Sequence, residues 1–271
     1  MEIDKAKCVG CGNCHAICPM GAISLDVNGN SVVDQDKCVE CSTCHRVLRD
    51  EGYPPWFVRA VRRVLSFLHL QYLAEVDVCP TGALKPPELE WPRSLRAAFS
   101  DPTVVHVGTG VGGRGTEEIK TNDVTGRLRE GEAGIVVELG RPGTGTLLRD
   151  VEKVAMALSP LEPAFEPFNP VTQLMVDTAT GKMNEEVLDE KVLSAIIEVK
   201  TRLERIPEYL RALEDVHGET DAVYSVGIAS KCLPDRSIPH EEWVRGAGYA
   251  LSPNGKTNLG LGRPLFRGAS I

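Results

Sequence analysis

The sequence predicts an α+β protein in two parts: a cysteine-rich N-terminal domain carrying an inserted helix, then an α+β sandwich. Three observations predict it. Eight of the nine cysteines lie within the first 79 residues. A proline-bearing stretch, Lys85 to Pro102, then changes the texture of the chain. From Thr103 onward, segments alternate as β, β, α, β, α, β, the order of a sheet with helices on one face. A chain of 271 residues has room for about two domains. They fall at 1–85 and 103–271, with 86–102 as an ordered linker in which Ser94–Phe99 can form a short helix.

Composition narrows the function. Apolar residues at 42% and charged residues at 25% are ordinary for a soluble globular protein. A net charge of −8 argues against nucleic acid and against an anionic membrane surface. The first residues, Met1 to Lys7, contain no apolar secretory core. The most apolar stretch, Trp56 to Val76, carries Arg59, Arg62, Arg63, His69 and Glu75, so no membrane span is expected. The expected location is the cytoplasm. Clustered cysteines in a reducing compartment point to metal ligation rather than disulfides.

Cys8, Cys11, Cys14 and Cys18 follow C-x2-C-x2-C-x3-C, with Pro19 next. Such a run binds an iron–sulfur cubane: three thiolates two residues apart wrap one corner, and the fourth points to another cluster. The run repeats as Cys38, Cys41 and Cys44, with Lys7-Cys8-Val9 echoed by Lys37-Cys38-Val39 and Cys14-His15 by Cys44-His45. Its fourth cysteine is delayed to Cys79, where Cys79-Pro80-Thr81-Gly82-Ala83-Leu84 matches Cys18-Pro19-Met20-Gly21-Ala22-Ile23. Zinc is the alternative occupant, but a zinc site takes four ligands and has no use for a third cysteine and a Cys-Pro in each run. A single cluster is the other alternative, should Cys79 fall short. His15 and His45 read as solvated loop residues that could otherwise tune a potential. Gly10, Gly12, Gly21 and Gly82 would let the backbone approach closely.

Over residues 1–85 the sequence resembles the two-cluster bacterial ferredoxins. The resemblance implies two [4Fe–4S] clusters, one on Cys8, Cys11, Cys14 and Cys79, the other on Cys18, Cys38, Cys41 and Cys44. It also implies electron transfer with a redox partner protein, in anaerobic or otherwise reducing metabolism. The departure is the insertion at 45–78. After Pro54-Pro55 it reads as one helix from Trp56 to Val76, with Phe57, Val61, Val64, Leu65, Leu68, Tyr72 and Val76 along a stripe. Its arginines (46, 49, 59, 62 and 63) outnumber Asp50, Glu51 and Glu75. The plainer expectation is a helix packing the two domains together; the functional one is a docking surface or a lid.

In the second part, strands are expected at Thr103–Val107, Ile135–Leu139, Thr172–Asp177 and Ala222–Ala229, and helices at Thr146–Leu158 and Glu185–Val216, with Pro207 kinking or dividing the latter. Gly134 to Gly145, entering a helix, resembles the start of ACT-type regulatory domains, whose order is βαββαβ. The expected second helix is too long for that order, and a third strand is hard to find near Lys182. Gly108 to Gly113 fits G-x-G-x-x-G, but the segment Thr116 to Arg129 does not read as a helix; a backbone nest for an anion at Gly110, Gly113 and Arg114 is the better reading. The turn Gly140 to Gly145 reads as a tight connection. Gly255-Lys256-Thr257 lacks the first glycine of a phosphate loop, since position 250 is Ala, and Asn258 to Pro264 reads as an extended arm. Cys232 reads as a half-buried structural thiol. The expected function is an electron carrier or subunit without its own catalytic centre. The alternatives are an iron–sulfur oxidoreductase whose second domain binds a cofactor or substrate, and a redox or small-ligand sensor.

Overall fold

The computed structural model describes residues 1–70, 75–110, 112, 126–140 and 143–252. Gly113, Arg114, Arg141, Pro142, Tyr72 and the segment from Pro253 onward, including Gly255, Lys256 and Thr257, lie outside the described residues.

The N-terminal part is made of short pieces. Strand β1 (Glu2–Ile3), helix α1 (Asn13–Ile17), strands β2 (Ile23–Leu25) and β3 (Ser31–Val33), and helix α2 (Thr43–Val47) come first. Strand β4 (Arg49–Asp50), helix α3 (Pro55–Phe67), and strands β5 (Val78–Cys79) and β6 (Leu84–Lys85) follow. The pairings obey an internal twofold repeat. The strand after the first Cys-Pro, β2, pairs antiparallel with β3, which leads into Cys38. The strand after the second Cys-Pro, β6, pairs antiparallel with β1, which leads into Cys8. The insertion is tied at its base by a parallel pair, β4 on β5.

Helix α3 is shorter than expected. Pro55 sits in its first turn, where a missing N–H costs nothing. It stops at Phe67, and His69 takes a left-handed φ of 56°. Of its side chains only Val58 is buried. The packing role expected for the stripe is therefore not what the structure displays: Phe57, Val64 and Leu68 are exposed, as are Trp56 and Phe67.

The linker is an integral part of the packing. Helix α4 (Ser94–Ser100) buries Leu95 through Ser100, and Leu95 and Phe99 join the main apolar core. Beyond it, Thr103–Val107 makes one isolated bridge, Val105 to Gly112, instead of a strand; Val107 is fully exposed. Strand β7 (Glu132–Leu139), strand β8 (Thr146–Leu147), helix α5 (Leu148–Leu158) and strand β9 (Ala164–Phe165) come next. Then come helix α6 (Pro170–Gln173), β10 (Met175–Asp177), β11 (Lys182–Met183), β12 (Lys191–Val192), β13 (Ala195–Arg202), helix α7 (Ile206–His217), β14 (Tyr224–Ser230) and α8 (Pro239–Gly246).

Four strands form one antiparallel sheet in the order β14-β7-β13-β9. With α5 after β7 and α7 after β13, the sheet elements run βαββαβ, a split βαβ arrangement. Alternate residues Ile135, Val137, Leu139, Ala195, Ile197 and Val199 face Leu148, Val151, Val154, Leu158, Tyr209 and Leu213 of the two helices. The expected long helix at 185–216 is corrected here. Its first half holds β12 and β13, the latter rich in Ile196, Ile197, Val199 and Thr201, whose branching suits a pleated buried strand. Pro207 does not kink a helix; it opens α7. Thr172, expected in a strand, lies in α6, and the strand begins at Met175.

Truncating the fully buried Ile197 to Ala is expected to cost about 2–5 kcal/mol of unfolding free energy in urea titrations followed by circular dichroism. Val107→Ala, at an exposed position, is expected to stay within about 0.5 kcal/mol.

Candidate metal centre

The two cysteine runs are positioned by backbone motifs that repeat almost atom for atom. Asp4 opens the first: its carbonyl accepts from Cys8 N at 2.8 Å, and its carboxylate accepts from Ala6 N at 2.9 Å. Asp34 opens the second in the same way, accepting from Cys38 N at 3.0 Å and from Asp36 N at 3.1 Å. Each Asp in turn donates its amide to the alanine after a Cys-Pro turn, Asp4 to Ala83 O at 2.8 Å and Asp34 to Ala22 O at 2.7 Å. Thus each run is held by the tail of the other. Sequence reasoning missed these aspartates, although the signal is there as Asp4-x-x-Lys7-Cys8-Val9 against Asp34-x-x-Lys37-Cys38-Val39.

All eight clustered cysteines gather on two small cavities, four on each. Cys18, Cys38, Cys41 and Cys44 line one, with Met1, Met20 and Ile23 among the apolar walls. Cys8, Cys11, Cys14 and Cys79 line the other, with Ile3, Val9 and Leu84. Cys79 reaches its cavity despite the insertion, because β4 and β5 bring the two ends of that loop together. Among the described residues, no three His, Cys, Asp or Glu side chains converge on one point as ligands of a single ion would.

Backbone amides point at the sulfurs. Ala22 N lies 3.2 Å from Cys18 Sγ and Ala83 N lies 3.3 Å from Cys79 Sγ, symmetric partners again. Ser31 N and Gly10 N approach Cys8 Sγ at 3.3 and 3.4 Å, and Thr43 Oγ1 approaches Cys41 Sγ at 3.3 Å. Such donors stabilise thiolate and sulfide charge. His15 and His45 part company: His15 is half-buried with Nε2 3.1 Å from Ser31 Oγ, to which Cys14 Sγ also donates, whereas His45 is exposed. Burial lowers the His15 pKa.

Burial also pushes the Cys14 thiol up to about 11, and the thiolates of Cys11, Cys8 and Cys79 raise it further against the lowering bond to Ser31. Cys44 is pushed up to about 12 by burial and by Cys41, Cys18, Cys38 and Cys14. Burial raises Cys11 and Cys38 as well. These four crowded thiols therefore favour the protonated form at neutral pH, and a metal held there would have to displace those protons.

Residues 1–24 match a family model described as a 4Fe-4S binding domain. That segment covers the first run and its Cys-Pro turn, and the match supports an iron–sulfur, ferredoxin-type domain there. No curated protein and no solved structure matches the chain significantly. Among the described residues, no helix is long and apolar enough to cross a membrane.

Other candidate residues fare differently. Gly110 has a left-handed φ of 66° with open space around it, while Gly113 and Arg114 lie outside the described residues. Gly145, at φ 69°, lets the turn after β7 approach the Met20 methyl, 2.7 Å from where a Cβ would sit. Cys232 is exposed, against the expectation of a half-buried thiol.

Two outcomes are expected. A Cβ on Gly10 would meet Gly29 O at 2.0 Å, whereas one on Gly12 meets nothing within 4 Å. Gly10→Ala should lose most bound iron, while Gly12→Ala should keep it and lose only about 1 kcal/mol to its left-handed backbone, as read by iron analysis and thermal melts. Because binding must strip protons from thiols whose values are raised, iron taken up at limiting iron and sulfide should rise between about pH 7 and pH 9, with acid released to an indicator dye.

Proposed function

We propose that the protein is an iron–sulfur electron carrier or subunit that relays electrons through two [4Fe–4S] clusters to or from a partner oxidoreductase. Residues 1–85 would be the cluster-binding unit, with the insertion at 45–78 as part of it. Residues 103–271 would be a companion domain locked on through 86–102.

The observation that carries the reading is the sorting of thiols. Each cavity takes three cysteines of one run and the fourth of the other. Cys8, Cys11, Cys14 and Cys79 would hold one cluster, and Cys18, Cys38, Cys41 and Cys44 the second. When bound, each cluster accepts and returns one electron. The chain's own residues do the rest. The amides of Ala22, Ala83, Gly10 and Ser31 offset negative charge on sulfur. The apolar walls at Ile3, Ile23, Met20 and Leu84 hold water away, which strengthens those contacts. The exchange of fourth ligands places Cys14 and Cys18, at the two ends of α1, on different cavities, so the two sites share a wall. The mutual approach of Cys14 and Cys44 is felt in the raised Cys44 value.

Anaerobically purified protein is expected to hold about eight irons and eight acid-labile sulfides per chain, with an EPR spectrum of two interacting centres after dithionite. Cys79→Ala should fall to about four irons and lose the interaction while α5 and α7 keep their circular dichroism. Four irons in the unaltered protein, or zinc in their place, would refute the two-cluster reading.

A further inference from the structure

Helix α3 has an apolar face wider than the surface it covers. Val58, Val61 and Leu65 form its inner edge, with Val58 buried and Val61 half-buried. Phe57, Val64 and Leu68 continue that face into solvent, and Trp56 and Phe67 extend it to 71% and 83% exposure. Tyr53 and Trp56 both pack rings on Phe57, at centroid distances of 6.4 and 6.0 Å, so the patch is a built aromatic surface and not a set of stray side chains. Isolated exposed apolar residues need no explanation, but a contiguous patch of aromatics marks an interaction site.

The position of the patch is set by its opposite edge. Arg59 donates to Ala6 O at 2.8 Å and to Cys8 O at 3.0 Å. Arg62 lies beside Gly10. Asn13 donates to Glu75 O and Val78 O at 2.6 and 2.9 Å, closing the insertion onto the same loop. The helix is therefore clamped on the Cys8–Cys14 loop, next to the cavity of Cys8, Cys11, Cys14 and Cys79. The other cavity is covered differently: α4 and the turn at Gly143–Thr146 lie against its cysteine loops, through Arg96 to Cys38 O and Gly145 to Met20. Among the described residues, the first cavity alone has such an uncovered aromatic surface beside it.

Charge selects the occupant. The helix carries Arg59, Arg62 and Arg63 and no acidic residue, on a chain of net charge −8. Arg63 stands at the margin of the apolar arc. The geometry points to α3 as the docking site of a redox protein whose contact surface is apolar with an acidic rim, exchanging electrons through the cavity of Cys8, Cys11, Cys14 and Cys79. This inference rests on the cluster reading above.

The test uses the full holoprotein, reduced with dithionite and freed of excess reductant. It is mixed in a stopped-flow with oxidised flavodoxin, an acidic redox protein. Each event moves one electron from the reduced protein to the flavin, which with one solvent proton becomes the neutral semiquinone. The double substitution Trp56→Ser, Phe67→Ser removes exposed side chains only, and is expected to slow this transfer roughly tenfold or more. Arg63→Glu should slow it as well, and added salt should slow the unaltered protein. Oxidation by neutral benzoquinone, which needs no docking surface, should be unchanged. Equal rates for flavodoxin in the unaltered and doubly substituted proteins would overturn the proposal. So would co-sedimentation with phosphatidylglycerol vesicles, or a dimer in sedimentation velocity, abolished by the same double substitution. Iron analysis of the same samples separates the two readings: if iron is absent the cluster assignment has failed, whereas if it is present and the rates are equal only the docking surface has.

Discussion

The gathering of eight thiols into two groups of four is the constraint on which the N-terminal part is built. Its apolar cluster holds Met1, Cys14, Ala22, Ile23, Cys38, Cys44 and Leu48, so three of its seven buried members are cysteines. Its strands are two or three residues long. So small an apolar core cannot offset the entropy of ordering roughly eighty residues; units of this size need staples or metals. Sulfur–iron bonds would supply that missing energy, and metal affinity would then be folding energy. The C-terminal sheet needs no such help. Its core runs from Ile135 to Ala222 with more than a dozen residues wholly buried, and α5 and α7 lie along it at helical spacing.

The two halves of the repeat have been put to different uses. Around the Cys18, Cys38, Cys41 and Cys44 cavity, arginines stitch the small unit to the large one. Arg93 pairs with Glu40, Arg46 with Asp101, and Arg96 with Glu190. Arg96 is almost fully buried, and a buried cation is costly unless every donor is met. It donates to Gln35 O and Cys38 O at 2.8 Å besides its carboxylate partner, so the Cys38 loop and Glu190 of the companion unit share one guanidinium. Around the other cavity the arginines belong to the insertion. The same residue type therefore fixes both loops from outside, once by the C-terminal part and once by α3.

The grouping of the thiols is legible in the sequence because their spacing is strict, and that spacing survives the insertion that displaces Cys79. The fold beyond it is legible only in pieces. Strand β13 is hidden because Glu198, Lys200 and Arg202 make it rich in charged residues, a composition that also suits a helix; yet Glu198 is wholly buried and paired with Arg127 at 2.8 Å, so its charge does not mark a solvent face. The branched run Ile196, Ile197 and Val199 is the signal for the missing strand, and it shortens the helix to α7. Pro207 is plain to see, but a proline reads equally as a kink or a start until the strand before it is known. For α3 the stripe is visible and its end is not: Leu68 and Leu70 carry the apolar run across the left-handed turn at His69.

The backbone records where the two halves diverged. In the first run the left-handed positions are Gly10 and Gly12, with φ of 63° and 87°; in the second they are Glu40 and Ser42, with φ of 52° and 53°. A side chain in that region costs on the order of 1 kcal/mol, and glycine would avoid it. Gly10 has no choice, since Gly29 O stands where its Cβ would be. Glu40 has room, and its carboxylate is drawn inward to Arg93, where it is 2% exposed. A charge-assisted bond to a guanidinium is worth more than that strain when neither partner is fully solvated. The second loop thus keeps a strained backbone in exchange for a contact with the companion unit, and the first keeps an easy backbone pressed against its own hairpin. Divergence at these two positions follows from what lies outside each loop, while the thiols inside remain the same.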